Sequence, residues 1–190
     1  LQMYSFMDGT MNDSRENLKL ASEMGYDGVE LFGPNFEIPA EELKALLTEL
    51  HLEPVSMHAP KTDMVESLIP LAESLEMKFI GIGMECMIDD EAVHTFANTL
   101  NRIGKVCAEH GLTLTYHNHT QEFVPCGDKR VIDVLMEETN PDYVSFELDA
   151  GWCAAAGFDP IELVQTYSGR IKLIHVKESS KVIRFNVFAN

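Results

Sequence analysis

The feature that most constrains the fold is a regular alternation of short apolar segments and longer helical segments along the 190 residues. Strands that alternate with helices of about 10–15 residues build parallel sheets, and seven in succession favour a barrel over an open sheet. No GxGxxG occurs, and an open doubly wound sheet is expected to carry such a nucleotide loop. The predicted strands are 1–7, 26–31, 53–57, 78–82, 112–116, 143–148 and 171–176, and the predicted helices are 14–24, 39–50, 63–75, 90–110, 129–138 and 160–167.

The seven βα-type units are continuous, which predicts a single domain over 1–190 with an atypical tail at 179–190. A closed (β/α)8 barrel typically takes about 250 residues, and this chain is shorter. Residues 182–188 alternate like a strand but follow too short a loop for a seventh helix. The eighth strand is therefore absent, supplied by a neighbour, or formed by the tail as an antiparallel hairpin. An incomplete barrel leaves an apolar edge, so we expect a homo-oligomer.

Composition excludes several classes of partner. The formal net charge is −17 with only 14 lysines and arginines, whereas nucleic-acid binders need a basic surface, so we expect no nucleic-acid partner. No apolar run approaches the roughly 18 residues of a membrane span, and the first residues lack the basic region of a signal peptide. The four cysteines have wide, irregular spacings, which indicates free thiols in a reducing cytoplasm.

Three predicted strands end in clusters of imidazole and carboxylate side chains. The fifth leads into His117-Asn118-His119, the sixth into Asp149, and the seventh into His175. In a parallel barrel the carboxyl ends of the strands meet on one face, where the chemistry takes place. Converging imidazoles and carboxylates are ligands of divalent metals. The sequence therefore predicts a metal site of His117, Asp149 and His175, with the alternative that His117 is a hydrogen-bonded core histidine.

Other polar residues near the predicted strand ends are candidates for supporting roles. Glu147 shares a strand face with Asp149, one layer deeper, as an outer partner of the metal ligands or as a competing ligand. Glu30, His58 and His119 are the candidates for proton transfer, although Glu30 and His58 fit a structural role equally well.

Three residues are candidates for substrate binding. Trp152 either forms an apolar wall for a sugar ring or belongs to the core. Lys177 either binds an anionic group of the substrate, such as an enolate or a phosphate, or is a solvated surface charge. Asn118 completes the set. The histidines expected on helix surfaces are His51, His94 and His110.

Several strings in this order resemble the xylose isomerase-like TIM-barrel family, and its sugar phosphate isomerase/epimerase branch is the most similar. The resemblance covers residues 1 to about 178 and is specific for the superfamily but weak for the substrate. The strings are Gly25-Tyr26-Asp27-Gly28-Val29-Glu30, Ser56-Met57-His58-Ala59-Pro60, Tyr116-His117-Asn118-His119 with Glu122-Phe123, Asp149-Ala150-Gly151-Trp152 with Ala156-Gly157-Phe158-Asp159-Pro160, and Gly169-Arg170-Ile171 through His175-Val176-Lys177-Glu178.

The resemblance implies an α/β fold of the (β/α)8 TIM-barrel-like type, incomplete at the C-terminal end, and one divalent metal ion (Mn, Mg, Co or Zn). Family ligands at the ends of the sixth and seventh strands fall on Asp149 and His175. The fifth-strand glutamate of the epimerases falls near Thr115, so this chain offers His117 or His119 instead. The eighth-strand glutamate has no identifiable counterpart.

The leading hypothesis is a metal-dependent enzyme that isomerises, epimerises or dehydrates a sugar, a keto-sugar or an inosose by moving a proton next to a carbonyl. Its expected partner is a small-molecule sugar or sugar phosphate. A truncated barrel that binds a sugar or partner without catalysis is the alternative from a different class. An apurinic-site endonuclease is disfavoured by the net charge of −17.

Overall fold

A six-stranded, wholly parallel sheet organises the chain in the computed structural model, which describes residues 1–6 and 13–177. The sheet contains, in spatial order, β1 (Gly28–Phe32), β2 (Glu53–Ala59), β3 (Phe79–Ile82), β4 (Thr113–His117), β7 (Val144–Asp149) and β8 (Ile171–His175). A short antiparallel pair, β5 (Pro125–Cys126) and β6 (Lys129–Arg130), lies outside it. The helices are α1 (Ser14–Glu23), α2 (Ala40–Glu49), α3 (Val65–Ser74), α4 (Asp90–Glu109), α5 (Val131–Glu138), α6 (Ala150–Ala155) and α7 (Pro160–Thr166).

Aspartate caps begin several of these helices where the sequence predicts them. The Asp13 carboxylate accepts the backbone N–H of Arg15 before α1, and Asp89 accepts that of Ala92 before α4. Such caps satisfy backbone donors that have no partner inside the helix. Gly111 follows α4 with φ +74°, a left-handed conformation that glycine adopts at little cost. The long helix predicted between Asp89 and Gly111 is therefore confirmed.

The sheet is strongly curled. β1 and β8 are its two edge strands, and in a flat sheet they would lie roughly 24 Å apart at about 4.8 Å per strand spacing. Yet Oε1 of Glu30 on β1 is 3.2 Å from Nε2 of His175 on β8. The edges therefore approach each other near the carboxyl ends of the strands, which confirms an incomplete, TIM-barrel-like α/β fold.

The two faces of the curled sheet differ in chemistry. The outer positions are apolar and pack with the helices: on β4, for example, Tyr116 lies edge-on against Phe96 of α4. The inner positions alternate with these and are mostly polar. They include Glu30, Ser56, His58, Thr115, His117, Ser145, Glu147 and Asp149, all buried. A barrel interior is usually filled by branched apolar side chains, so this lining marks the inner face as the place to look for chemistry.

The strand register is interrupted at two points. One irregularity separates Val29 from Glu30 in the pairing of β1 with β2. The other separates Phe146 from Glu147 in the pairing of β7 with β8. Each interruption comes directly before an inner-face glutamate, and irregularities of this kind change the direction of the side chains that follow.

The predicted first strand, 1–7, is wrong over the described residues 1–6. Leu1 and Gln2 pair with β1 through an isolated bridge at Glu30, and Met3–Phe6 then forms a 3₁₀ turn. The turn buries the Met3 side chain in the core and sets Tyr4 edge-on against Phe32, which an extended strand would not do. The described residues thus contribute six strands to the sheet, not seven.

Two further boundaries differ from the sequence prediction. The helix expected from residue 129 begins at Val131, because Lys129–Arg130 first pairs with Pro125–Cys126. A short helix that was not predicted, α6, follows β7 directly and is capped by Asp149. The predicted tail, 179–190, lies outside the described residues.

The four cysteines are free, as predicted, and Cys86 alone among them is exposed. None of the helices in the described part of the chain combines the length and the apolar character needed to cross a membrane. The expected homo-oligomer stays a prediction.

We predict that Gly104→Ala destabilises the fold. A Cβ at this position of α4 would lie 2.7 Å from Cγ2 of Val144 and 3.1 Å from the Tyr143 carbonyl oxygen. Replacing glycine by alanine inside a helix normally stabilises by roughly 0.5–1 kcal/mol. Here overpacking reverses the sign, and we expect a net loss of about 1–3 kcal/mol in the free energy of unfolding, measured by chemical denaturation. The exposed Asn98→Ala change on the same helix is the control and is expected to cost nothing; equal stability of both variants would contradict the prediction.

Candidate functional site

Six ionisable side chains from five strands meet on the inner face of the sheet near the carboxyl ends of the strands. They form three overlapping groups, within each of which one ligand atom per residue lies within 4.8 Å of the others. All are buried except His175, which is partly exposed. The three groups are His58, His117 and Glu147; His117, Asp149 and His175; and Glu30, Glu147 and His175.

His175 links the two edges of the sheet through its Nε2 atom. This nitrogen lies 2.9 Å from Oε1 of Glu147 and 3.2 Å from Oε1 of Glu30. The second oxygen of Glu30 accepts the Ser56 hydroxyl at 2.5 Å. A ring nitrogen bonded in this way fixes the orientation of the imidazole, so the other nitrogen of His175, Nδ1, faces Asp149 at 3.9 Å.

The two carboxylate oxygens of Asp149 have different roles, because one caps a helix and the other faces the site. Oδ1 accepts the backbone N–H of Trp152 at 2.8 Å and caps α6. Oδ2 faces the site and lies 3.6 Å from Nε2 of His117 and 2.7 Å from the ammonium nitrogen of Lys177. The capping bond fixes the carboxylate in the direction that aims Oδ2 at the two imidazoles.

The imidazole of His58 lies deeper, over the backbone of two glycines. A Cβ on Gly81 or on Gly83 would lie 2.8 Å from an atom of this ring. The β3 inner face therefore has to be free of side chains for His58 to occupy its place. Gln2 lies on the opposite side, with its amide 2.9 Å from Nδ1 of His58.

Within the described part of the chain, several buried ligand atoms of the site have no hydrogen-bond partner. They are Nε2 of His58, Nδ1 of His117 and Oε2 of Glu147 at its centre, together with Oε1 of Glu30 and Nδ1 of His119. Oε2 of Glu147 is 3.8 Å from Nε2 of His58 and 3.9 Å from Nδ1 of His117, beyond hydrogen-bond distance. Leaving buried polar atoms unpaired is unfavourable, which makes this cluster suited to receive a further polar or charged group.

The buried carboxylates and His175 shift one another's pKa. Burial lowers the pKa of His175, but its contacts with Glu147 and Glu30 outweigh burial and raise the pKa to about 10. Burial and the neighbouring Glu30 raise the pKa of Glu147 to about 8, against the effect of His175. For Glu30, contacts with His175 and His58 outweigh burial and hold the pKa below its usual range. The favoured state of this trio is therefore a His175 imidazolium paired with the Glu30 carboxylate, beside a Glu147 carboxyl group that keeps its proton up to about pH 8.

The other imidazoles are held in their neutral form. Burial, together with nearby histidines, lowers the pKa of His58 and of His117 well below the usual value. Burial also lowers the pKa of His119, to about 4. A neutral imidazole keeps one nitrogen lone pair, which is the form that binds a metal or accepts a proton.

The mouth of the site is lined by His119, Trp152 and Lys177. The His119 ring centroid lies 4.9 Å from that of His117 and 5.6 Å from that of Trp152. The Lys177 ammonium lies 4.4 Å from the Trp152 ring centroid. Gly151 makes this possible, since a Cβ there would lie 2.5 Å from the Lys177 side chain.

The nine residues predicted from sequence converge on this end of the sheet. His117, Asp149 and His175 form one metal-capable group, whereas Glu30 and His58 lie deeper, among the buried carboxylates and imidazoles. The fifth predicted strand, 112–116, ends at His117 in the structure, so His119 lies beyond it, and the rings of His117 and His119 are nevertheless adjacent.

The amide of Asn118, predicted to bind substrate, is engaged with the backbone of Asp149. Its oxygen accepts the Asp149 N–H at 2.9 Å and its nitrogen donates to the Asp149 carbonyl at 3.3 Å. These bonds join the ends of β4 and β7. His51, His94 and His110 are exposed, as predicted.

The sequence analysis gave Glu147 only a supporting role, and it did not predict that the His58 ring packs over the backbone of two glycines. Glu147 takes part in two of the three metal-capable groups. The available signal was the polar residue at every second position of 145–149, which puts Ser145, Glu147 and Asp149 on one face. The paired Gly81 and Gly83 offered a comparable signal, because glycines in a strand often mark a close approach of another group.

Several known proteins are similar to this chain in sequence or in fold. Part of the chain is 34% identical over 91 residues to an inosose dehydratase from Geobacillus kaustophilus, a match covering 48% of this chain and only 29% of that relative. Among solved structures, a sugar phosphate isomerase/epimerase from Parabacteroides distasonis has a TM-score of 0.79 at 23% identity, covering 94% of this chain and 78% of that one. The IolI protein with a bound zinc atom has a TM-score of 0.71 at 14% identity, covering 92% and 70%. At these identities the two structures show the fold alone.

The model of one protein family covers most of the chain. It describes the xylose isomerase-like TIM barrel and matches residues 18–184, a range that includes every strand of the sheet. The match, the curled parallel sheet and the polar inner face are mutually consistent. The chain therefore belongs to the xylose isomerase-like TIM barrel family.

Proposed function

We propose that this chain forms the site of a divalent-metal-dependent isomerase, epimerase or dehydratase that acts on a sugar or keto-sugar by proton transfer next to a carbonyl. The observation that carries the proposal is the convergence of His117, Asp149 and His175, each of which places a ligand atom within 4.8 Å of the others, next to buried imidazole and carboxylate atoms that lack partners. The inosose dehydratase relative and the zinc bound by the IolI protein support it.

The donor set fits a divalent cation. Nε2 of His117, Oδ2 of Asp149 and Nδ1 of His175 would hold it, with Glu147 on the far nitrogen of His175 as the orienting partner. Binding would displace the proton that the raised pKa of His175 keeps on Nδ1 in the metal-free chain. Ligand atoms about 2.0–2.2 Å from zinc lie roughly 3.3–3.5 Å from one another, slightly closer than the 3.6 and 3.9 Å found here. The Lys177 ammonium 2.7 Å from Oδ2 marks the place as one that accepts positive charge. A divalent cation there would polarise a carbonyl oxygen and an adjacent hydroxyl oxygen.

The chain's own residues then supply binding and proton transfer. His119 lies at the mouth, partly exposed, and is placed to exchange a proton with a substrate carbon beside the carbonyl. Trp152 offers a flat apolar surface to a sugar ring, and Lys177 over that ring offers a donor to a hydroxyl or a phosphate. Glu30 and His58, being buried beneath, relay a proton or hold the ligands in place.

The first prediction concerns the metal. The chain, stripped with a chelator and titrated with Zn²⁺, Mn²⁺ or Co²⁺, should bind about one equivalent by calorimetry and gain thermal stability, because a ligand that binds only the folded state stabilises it. Asp149→Asn should abolish tight binding while it keeps the cap of α6, since asparagine is an equally good N-cap. Glu66→Gln, at an exposed carboxylate paired with Arg102, is the matched control and should bind normally.

A second prediction distinguishes the proposed position from the deeper one. Glu147→Gln should weaken binding by about 10- to 100-fold, the usual effect of losing a partner that orients a ligand. If Glu147→Gln and His58→Ala abolish binding and Asp149→Asn leaves it intact, the cation instead occupies the group of His58, His117 and Glu147. If the chain binds no divalent metal, the proposal of a metal-dependent enzyme is wrong, and the alternative of a barrel that binds a sugar or partner without catalysis remains.

The third prediction tests the reaction itself. The metal-loaded chain, incubated in D₂O with a panel of keto-sugars and inososes, should introduce deuterium at the carbon next to the carbonyl, detected by mass spectrometry. His119→Ala should slow this exchange by about 10²- to 10⁴-fold, the usual contribution of a general acid or base, with metal affinity retained. His110→Ala, at an exposed imidazole paired with Glu73, is the control. If none of the substrates exchanges deuterium, the proposed catalysis is wrong, and only the binding of a ligand remains.

A further inference from the structure

The carboxylate of Glu122 is a completely buried acidic group to which the proposed chemistry gives no role. It belongs to a 3₁₀ turn, Gln121–Phe123, that follows β4, and its side chain has a relative exposure of 0%. Burying a carboxyl group is unfavourable unless it is hydrogen-bonded. The position therefore requires partners that keep the carboxylate inside.

Three donors satisfy this carboxylate. The Tyr116 hydroxyl donates to Oε1 at 2.6 Å, and the Gln121 amide donates to the same oxygen at 3.0 Å. The backbone N–H of His119 donates to Oε2 at 2.7 Å. Tyr116 is itself buried on the outer face of β4 and fixed against Phe96, so it anchors one end of the carboxylate to the core. The other end reaches the segment that carries His119.

His119 needs such a fixed point because it lies beyond the sheet. β4 ends at His117, so strand pairing does not hold the backbone of His119. On one side Asn118 is bonded to the backbone of Asp149, and on the other Glu122 bonds His119 itself. Between these two points the imidazole is directed toward His117 and Trp152.

We infer that Glu122 is a positioning residue, whose carboxylate, anchored by Tyr116, holds the His119 backbone so that the imidazole lies between His117 and Trp152. Glu122 belongs to none of the metal-capable groups, and it acts on the mouth through the backbone of His119. The inference rests on the proposed function only for the use that is made of His119, because the positioning itself needs neither metal nor substrate.

The test compares Glu122→Leu with Tyr116→Phe in chains carrying ¹³C-labelled histidine. Glu122→Leu removes the acceptor of the His119 N–H, whereas Tyr116→Phe removes the anchor's hydroxyl and leaves that acceptor. Both should lower the melting temperature. Glu122→Leu should move the ring resonance of His119, identified by its loss in His119→Ala, because the imidazole then leaves the ring current of Trp152, the single tryptophan. Tyr116→Phe should move this resonance less, because the Gln121 amide still holds the carboxylate that accepts the His119 N–H.

Two more variants keep the inference testable if Glu122→Leu fails to fold. Glu122→Asp retains the charge but is one methylene shorter, so it cannot reach from the Tyr116 hydroxyl to the His119 N–H and should also move the resonance. Glu122→Gln retains an acceptor oxygen for that N–H and should restore the resonance. An unmoved His119 resonance in Glu122→Asp, or an equal shift in Tyr116→Phe, would overturn the inference.

The exchange assay gives an independent reading. Glu122→Asp should slow deuterium incorporation, and it should add nothing to the loss already caused by His119→Ala, since residues that act through one group are not additive. A further loss in the His119→Ala background would mean that Glu122 acts elsewhere, which would overturn the inference. A metal titration that fails would contradict the proposed function and leave the resonance test unaffected.

Discussion

An imidazole on one edge strand, held by one glutamate from the adjacent strand and another from the opposite edge, is the interaction on which the rest of the structure depends. His175 on β8 meets Glu147 on the neighbouring β7 and Glu30 on the far edge strand β1. Removing one member of such a buried arrangement leaves an uncompensated charge, at a cost of about 3–5 kcal/mol. Because of this contact, the curvature of the sheet depends on the protonation and ligation of the His175 ring. A change to any of these three residues is therefore expected to affect both the fold and the site.

The inner face explains why so many ionisable groups tolerate burial. Several are paired with a neighbour: the Ser56 hydroxyl donates to Glu30 on the adjacent strand, and the ammonium of Lys177, beyond the end of β8, lies against Asp149. Among the described residues, the inner-face atoms without partners include Nε2 of His58, Nδ1 of His117 and Oε2 of Glu147. The helices around the outside pack their apolar faces on the sheet and supply the stability that this polar lining does not. In the same way, other proteins maintain a strained or polar site because a well-packed core elsewhere compensates for it.

Sequence reasoning predicts most of this fold, and it does so best where one local signal dominates. Asp89 and Gly111 delimit α4 because a cap and a left-handed glycine act over a few residues. The alternation of polar residues in β7 can likewise be read from the sequence, but the participation of Glu147 in two of the metal-capable groups cannot. What the sequence alone does not predict is the approach of Glu30 to His175, since it depends on the curl of the whole sheet. The 3₁₀ turn after Gln2 is missed for a similar reason: burial of Met3 outweighs the local preference for a strand.

The two register interruptions have a consequence for how such a chain tolerates insertions and deletions. They precede Glu30 and Glu147, the two carboxylates that hold His175. Because successive strand residues point to opposite faces, losing or gaining one residue at either point turns the carboxylate into the helical layer and an apolar neighbour into the site. Length changes in the loops between strands and helices avoid this penalty. Evolutionary drift in length should therefore accumulate in the loops and be excluded from these two positions, whatever substrate a given descendant comes to use.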